Sequence, residues 1–160
     1  MTCAGEPSIV SPDLVHVADL SVSVGPPVEI GEMGVGRRRV IDILGGTVSG
    51  PRLTGRIRPG GADYQIIRPG GLTELHARYT LELDDGTLVY VENSGLRFGT
   101  AADLDRLSRG EPVDPARIYF RTAPRFETAA PAYAWLRQHL FLGAGARRPD
   151  RVELRVFQVA

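Results

Sequence analysis

The sequence predicts an all-β protein with two short helices, built as a barrel or a sandwich of antiparallel strands. Short β-prone runs recur along the 160 residues, and glycine- and proline-rich turns separate them. The Asp85-Gly86 pair lies between LEL and TLVYV, where glycine supplies the positive φ of a tight hairpin turn. If the sheet closes into a barrel, its interior is expected to hold one small ligand.

The elements follow in order from these patterns. Residues 1–11 are predicted to be a flexible N-terminal tail, and residues 12–160 one domain. A first strand runs from Leu14 to the Gly25-Pro26-Pro27 turn. Further strands are predicted over 38–48, 51–58, 62–68, 73–83, 87–93, 117–122 and 151–159.

Two helices interrupt the strands. Thr100 is expected to cap a helix that Gly110 ends, and Thr128 to cap a second helix near 130–141.

The charged residues exclude several classes of enzyme. The chain has 19 arginines and no lysine, against 19 acidic residues. A lysine Schiff base and a P-loop are therefore excluded. The lone Cys3 allows no internal disulfide or cysteine cluster, and the three histidines form no metal-binding motif. No cofactor and no metal are expected.

The expected partner is a small molecule. Zero net charge without a basic stripe argues against nucleic acid, and no apolar run reaches the length of a membrane span. The N-terminus does not read as a secretory signal, so a cytoplasmic location is expected. A homodimer is also expected, because small barrels with apolar outer rows often pair.

The segment ELHARYTLEL separates by parity into two faces. Leucines, Ala77 and Tyr79 lie on one face, and the polar row containing His76 and Arg78 lies on the other. One interpretation is a core face and a solvent face. The alternative is that the polar row lines the cavity, with Arg78 holding an oxygen anion and His76 moving a proton.

Two neighbouring segments add candidate residues. Glu92 and Tyr90 share a face of the next strand, where Glu92 is either a salt-bridge partner of Arg78 or a catalytic group. Asp63 follows Gly60-Gly61, where it either caps a β-turn or points into the cavity mouth as a base. Tyr64, beside Asp63, is a predicted ligand contact.

The segment 119–127 combines aromatic residues, two arginines and a carboxylate. Arg121 is expected to bind an anionic or carbonyl group, with Phe126 and Trp135 as walls of a small-molecule pocket. The alternative is an arginine–glutamate pair that ties this strand to the helix.

Long motifs resemble the DUF3237 (UPF0311) family of small bacterial and fungal proteins. They are RRRVIDILGGTVSGPRLTGRIRPGGADYQIIRPGG, ELHARYTLELDDGTLVYVENSGLR, IYFRTAPRFETAAPAYAWL and FLGAGARRP, and the resemblance covers about residues 14–159. It implies a closed antiparallel β-barrel of lipocalin-like proportions. It also suggests small-molecule enzymes without bound cofactors.

The resemblance carries over to individual positions. Those that match the family pattern are Asp63, Arg78, Tyr79, Arg121, Thr122, Arg125, Phe126 and Glu127. The family usually has tryptophan where Tyr64 stands and aspartate where His76 stands. If that aspartate position is catalytic, this chain has exchanged an acid for an imidazole.

The leading hypothesis is a cofactor-free isomerase, cyclase or lyase acting on a small natural-product or aromatic-like molecule inside the barrel. Its predicted catalytic residues are Asp63, His76, Arg78 and Glu92. Its predicted ligand-binding residues are Tyr64, Tyr79, Tyr90, Arg121, Thr122, Arg125, Phe126 and Trp135. The alternatives are a non-catalytic carrier or sensor of a small molecule and an interaction protein that docks through arginine-rich loops.

Overall fold

A computed structural model describes residues 6–160, so Cys3 and the start of the predicted tail lie outside the described residues. The ten strands are β1 Leu14–Val24, β2 Val28–Glu32, β3 Arg37–Ser49, β4 Gly55–Ile57, β5 Gly61–Ile67, β6 Thr73–Leu83, β7 Leu88–Phe98, β8 Tyr119–Glu127, β9 Leu140–Arg147 and β10 Arg151–Val159. The two helices are α1 Ala101–Ser108 and α2 Trp135–Gln138. None of the helices within residues 6–160 has the length and apolar character needed to cross a bilayer.

The strands close into an antiparallel barrel with eight positions. Neighbouring strands pair in the order β1, β10, β9, β8, β7 and β6, and β3 completes the ring by pairing with β1. The short strands β4 and β5 share the position between β3 and β6. The short strand β2 pairs with the first part of β3, on the same edge of β3 that pairs with β1 further along. The predicted barrel is therefore confirmed.

Strand parity determines which side chains fill the interior. Leu81 of β6 pairs with Val89 of β7, and both are fully buried. The hairpin between these strands turns at Asp85-Gly86 as predicted, with Gly86 at φ +84°. Because side chains alternate across a strand, each second residue of these strands faces the core.

One end of the barrel is closed by apolar side chains. Leu136 of α2 is almost fully buried there, and Phe126 and Phe141 meet edge to face with ring centroids 5.0 Å apart. The Tyr133 hydroxyl donates to Asp85 across 2.8 Å, which ties the segment before α2 to the β6–β7 turn. Helix α1 lies at the opposite end, where Thr100 caps it by accepting from the Asp103 amide.

Three local predictions were wrong. The second helix is one turn of 3₁₀-helix, Pro131–Tyr133, followed by the four residues of α2. Thr128 is not its N-cap residue, because that position is Ala130. The Thr128 hydroxyl donates to the Leu88 carbonyl and accepts from the Ala130 N–H. The chain from Leu140 onward forms β9, whose small inward residues Gly143 and Gly145 hid the alternation that reveals a strand.

Candidate ligand site inside the barrel

The interior of the barrel contains a cavity of about 50 Å³. One wall comes from β1, β3 and β10 and is apolar, with Val22, Ile41, Ile43, Val152 and Leu154. The opposite wall comes mainly from β5 to β8 and carries the polar side chains of Asp63, Gln65, Tyr79, Asn93 and Thr122. An apolar pocket with a few convergent polar groups is typical of small-molecule sites.

Asp63 is the carboxylate of the cavity. Its side chain accepts from the Gln65 amide at 2.6 Å and from the backbone N–H of His76 at 3.0 Å. Burial raises the pKa of Asp63 above its ordinary value, and the hydrogen bonds from Gln65 and His76 oppose that rise without cancelling it. Asp63 is thus a carboxyl group whose proton is held more tightly than in water.

Gln65 connects Asp63 to a buried arginine. Arg39 donates from Nε to the Gln65 side-chain oxygen at 2.8 Å, and Gln65 donates its NH₂ to Asp63. Because the guanidinium can only donate, this contact fixes the orientation of the Gln65 amide. Gln65 is only 1% exposed, so the link between Arg39 and Asp63 is shielded from water.

Two further cavity residues have buried oxygens without a hydrogen-bond partner among residues 6–160. They are the side-chain oxygens of Asn93 and Thr122. A buried acceptor without a partner costs roughly 1–3 kcal/mol, which a ligand or an ordered water would recover. Nearby, burial and the Asp63 carboxyl raise the pKa of Tyr79, so this phenol remains a hydrogen-bond donor.

Three arginines lie where the cavity opens toward α1. Arg39 and Arg97 are buried, and Arg147 is half-buried. Burial, together with repulsion from Arg147 and Arg39, lowers the pKa of Arg97 to about 9, which leaves it charged at neutral pH. Burial also lowers the pKa values of Arg39 and Arg147.

Four residues of the predicted site lie on the outside of the barrel, and we call them the outer row: Tyr64, His76, Arg78 and Glu92. Of the two interpretations of the polar row, the structure shows the core face and solvent face, because β6 turns its leucines and Tyr79 inward; the alternative that the row lines the cavity is wrong. The structure does bring Arg78 and Glu92 together, with Nε and Oε1 4.0 Å apart. The catalytic roles suggested for His76, Arg78 and Glu92 stay predictions.

The other predicted residues divide between the two faces. Arg121 and Arg125 of β8 point outward, as does Tyr90, whose hydroxyl donates to Glu92 at 2.9 Å. Among the inward residues, Thr122 lines the cavity, whereas Phe126 packs in the core. Trp135 lies at the closed end, with the Arg52 guanidinium 3.7 Å above its ring. Neither Phe126 nor Trp135 reaches the cavity wall.

Sequence reasoning missed several groups of the site. We call Asp63, Gln65, Asn93 and Arg97 the inner row, and only Asp63 had been considered as a cavity residue. The alternation of side chains along β7 could have predicted that Asn93 and Arg97 face inward, because they share the parity of the buried Val89 and Val91. Arg39 likewise continues the alternation of Ile41 and Ile43 along β3.

The comparisons with known proteins agree with this architecture. The family described as "Protein of unknown function (DUF3237)" matches residues 12–159. This chain belongs to that family. A protein from Rhodopseudomonas palustris strain TIE-1, named "UPF0311 protein", is 54% identical over 144 residues, which cover 90% of this chain and 94% of that relative.

Solved structures show the same fold. A conserved protein of unknown function from Rhodopseudomonas palustris superposes with a TM-score of 0.92 at 51% identity, covering 95% of this chain and 100% of that one. A "beta-barrel like protein" from Acinetobacter baumannii AYE gives 0.85 at 38% identity, with 97% and 100% covered. A structure described as an enzyme from Penicillium herquei gives 0.72 at 18% identity, with 96% and 98% covered, a likeness of fold alone.

Proposed function

We propose that the protein is a cofactor-free enzyme that binds a small organic molecule inside the barrel and moves a proton with Asp63. The observation that carries this proposal is a half-buried carboxyl group with a raised pKa on the wall of an interior cavity. Perturbed carboxyl groups in clefts are frequent acid–base catalysts, because a pKa closer to neutrality lets one group both accept and donate a proton. The reaction type that fits is an isomerisation, a cyclisation or an elimination.

The surroundings of Asp63 suit this role. Gln65 and the His76 backbone N–H each donate one hydrogen bond to the carboxylate, which orients it and leaves further lone pairs for a substrate. The unpartnered oxygens of Asn93 and Thr122 are available to accept from substrate hydroxyl groups. Tyr79 supplies a donor that keeps its proton. These groups would position the substrate against Asp63, and positioning itself lowers the barrier.

The fold is compatible with catalysis. The protein from Penicillium herquei that is described as an enzyme has the same barrel, although a shared fold does not transfer a reaction. We therefore argue the activity from the cavity and its residues.

The test compares the unmodified protein with Asp63→Asn. Both are incubated with a defined library of small phenols, lactones and organic acids, and products are detected by mass spectrometry. We expect conversion by the unmodified protein and a loss of about 100-fold or more in Asp63→Asn, because acid–base catalysis typically contributes that much. The matched control is Arg137→Gln, an exposed residue of α2 at the closed end of the barrel.

Two results would overturn the proposal. Equal turnover by Asp63→Asn and the unmodified protein would remove Asp63 from the chemistry. Tight binding of a library member that is recovered unchanged, with no conversion of any other, would favour a carrier or sensor instead.

A further inference from the structure

We propose that Arg39, Arg97 and Arg147 form an anion-binding subsite at the mouth of the cavity, and that the ligand is a small organic acid. Its carboxylate or phosphate group would lie between the arginines, and its apolar part would extend into the barrel. This inference rests on the proposed function for the cavity as the ligand site, and it names the class of ligand.

The first argument is an excess of buried positive charge. Arg39 is 8% exposed and Arg97 is 4% exposed. Within residues 6–160, no carboxylate oxygen lies within 4 Å of a guanidinium nitrogen of Arg39, Arg97 or Arg147. Buried charges in proteins are normally paired, because an isolated one loses its hydration without compensation. A bound anion would supply the missing counter-charge.

The contacts that the arginines do make leave donors free. Arg39 uses Nε for the neutral amide of Gln65. Arg97 lies beside the ring of Phe120, with its central carbon 5.5 Å from the ring centroid. Each guanidinium has five N–H donors in a planar fork, the geometry that binds carboxylate and phosphate through two parallel hydrogen bonds.

The nearby acidic residues do not neutralise the cluster. Asp63 attracts all three arginines, but its oxygens lie beyond ion-pair distance from them, and it is one carboxylate against three guanidinium groups. Glu29 pairs with Arg37 at 3.7 Å and attracts Arg39 only from beyond ion-pair distance. Asp105 of α1 lines the outer side of the groove at the mouth, beyond ion-pair distance from all three arginines. The mouth therefore keeps a net positive charge.

The second argument is the shape of the entrance. A groove of about 660 Å³ runs between α1 and the barrel end, and all three arginines line it. Arg97 and Arg147 also line the interior cavity, so they lie at the junction of groove and cavity. Beyond them one wall of the cavity is apolar, with Ile41 and Val152. A ligand that enters from the groove would therefore meet positive charge first and apolar surface next. This order matches a molecule with one anionic end and one apolar end.

The experiment compares acids with their neutral amides on the intact protein. The pairs are benzoate with benzamide and phenylacetate with phenylacetamide, and phenyl phosphate and inorganic phosphate are added separately. Thermal shift and isothermal titration report binding. We expect each acid to bind about tenfold or more tightly than its amide, since hydrogen bonds between charged groups are the strong ones.

Variants locate the preference. Arg97→Gln and Arg147→Gln are each expected to reduce the preference for acid over amide, whereas Arg137→Gln keeps it. Because Arg97 is deeply buried, its variant can fail to fold, so a second readout uses the unmodified protein. In that protein, benzoate is expected to shift the Nε–H resonances of Arg97 and Arg147 in nitrogen-15 spectra and to leave that of Arg137 in place.

The outcomes separate this inference from the proposed function. Equal binding of acid and amide, binding of neither member of any pair, or an unchanged preference in both variants overturns the subsite. Inorganic phosphate that binds as tightly as phenyl phosphate overturns the organic-acid assignment. Normal turnover by Asp63→Asn removes the proposed catalysis, while a retained preference for acids in that variant still supports the subsite.

Discussion

The inner row and the outer row use the same kinds of side chain in two different environments. In the outer row, Arg78 and Glu92 are 66% and 43% exposed at their side chains and form a long ion pair. In the inner row, Arg97 is 4% exposed and has no carboxylate partner within residues 6–160. Water screens the outer charges, whereas burial shifts the pKa values of Asp63 and Arg97 inside. The face of the strand on which a charged residue lies thus decides whether water screens its charge or burial shifts its pKa.

The largest difference between the rows is expected in turnover. Asp63→Asn should lose about 100-fold, equivalent to about 2.7 kcal/mol of barrier. His76→Ala should lose far less, because Asp63 is bound by the backbone N–H of residue 76, which alanine retains. Steady-state rates of the two variants on the same substrate check this. A collapse of turnover in His76→Ala alone would restore the imidazole as the proton carrier.

The next largest effect is expected in the free energy of unfolding, when a side chain is added to a glycine of β9. A Cβ added at Gly145 would lie 2.4 Å from the ring of Phe120, which is buried in the core. Gly145→Ala should therefore lower the free energy of unfolding by about 1–3 kcal/mol. Ala144→Ser, on the outer face of the same strand, should change it by less than about 0.5 kcal/mol. Urea denaturation measures both, and equal effects would contradict the assigned parity.

A smaller effect is expected in the pH dependence of stability. Because the folded pKa of Asp63 is raised, its stabilising contribution is complete below the unfolded value near 3.8 and is lost as pH rises through the folded pKa. The stability of the unmodified protein relative to Asp63→Asn should fall over that range, by at most about 1.4 kcal/mol per pH unit. Denaturation at a series of pH values measures this difference.

Asp85 provides the control of opposite sign. The Thr87 backbone N–H, followed by the Tyr133 hydroxyl, lowers the pKa of Asp85. Its contribution should therefore be complete above 3.8 and be lost as pH falls through the folded pKa. The same trend in Asp63→Asn and Asp85→Asn would mean that the two carboxyl groups do not differ as described.

The smallest effect is expected for the outer ion pair. A double-mutant cycle of Arg78→Gln and Glu92→Gln should give a coupling energy of no more than about 1 kcal/mol, because both side chains are exposed and 4.0 Å apart. Added salt should reduce it further. A coupling energy of several kcal/mol would show that the outer row is a desolvated site after all.

Much of the barrel could be predicted from local sequence patterns, whereas the site could be predicted only in part. The β6–β7 hairpin follows from Asp85-Gly86 and from strict alternation, and the predicted strand 73–83 has the bounds that the structure shows. Asp63 was placed at the cavity as one of two alternatives. His76 was likewise left between two alternatives, the solvent face and the cavity, because alternation separates two faces without saying which of them encloses a polar cavity.

The three arginines show why the rest of the site was not predicted from the sequence. Arg39, Arg97 and Arg147 lie on β3, β7 and β9, far apart along the chain, and each one alone is an ordinary strand residue. β9 itself was missed, because Gly143 and Gly145 provide space for Thr122 and Phe120 instead of an apolar alternation. Such complementarity between strands is visible only after they pair.

The sequence by itself determined the strand parity, the tight hairpin turn and the restriction of permanent positive side-chain charge to arginine. These are local properties, set by backbone geometry and by residue type. The tertiary structure decided which parity faces inward, and it brought Asp63 and three arginines to one cavity. Closure of the barrel joins strands that are distant in sequence, and only that closure removes water from their side chains and creates the buried charge on which the proposed site depends.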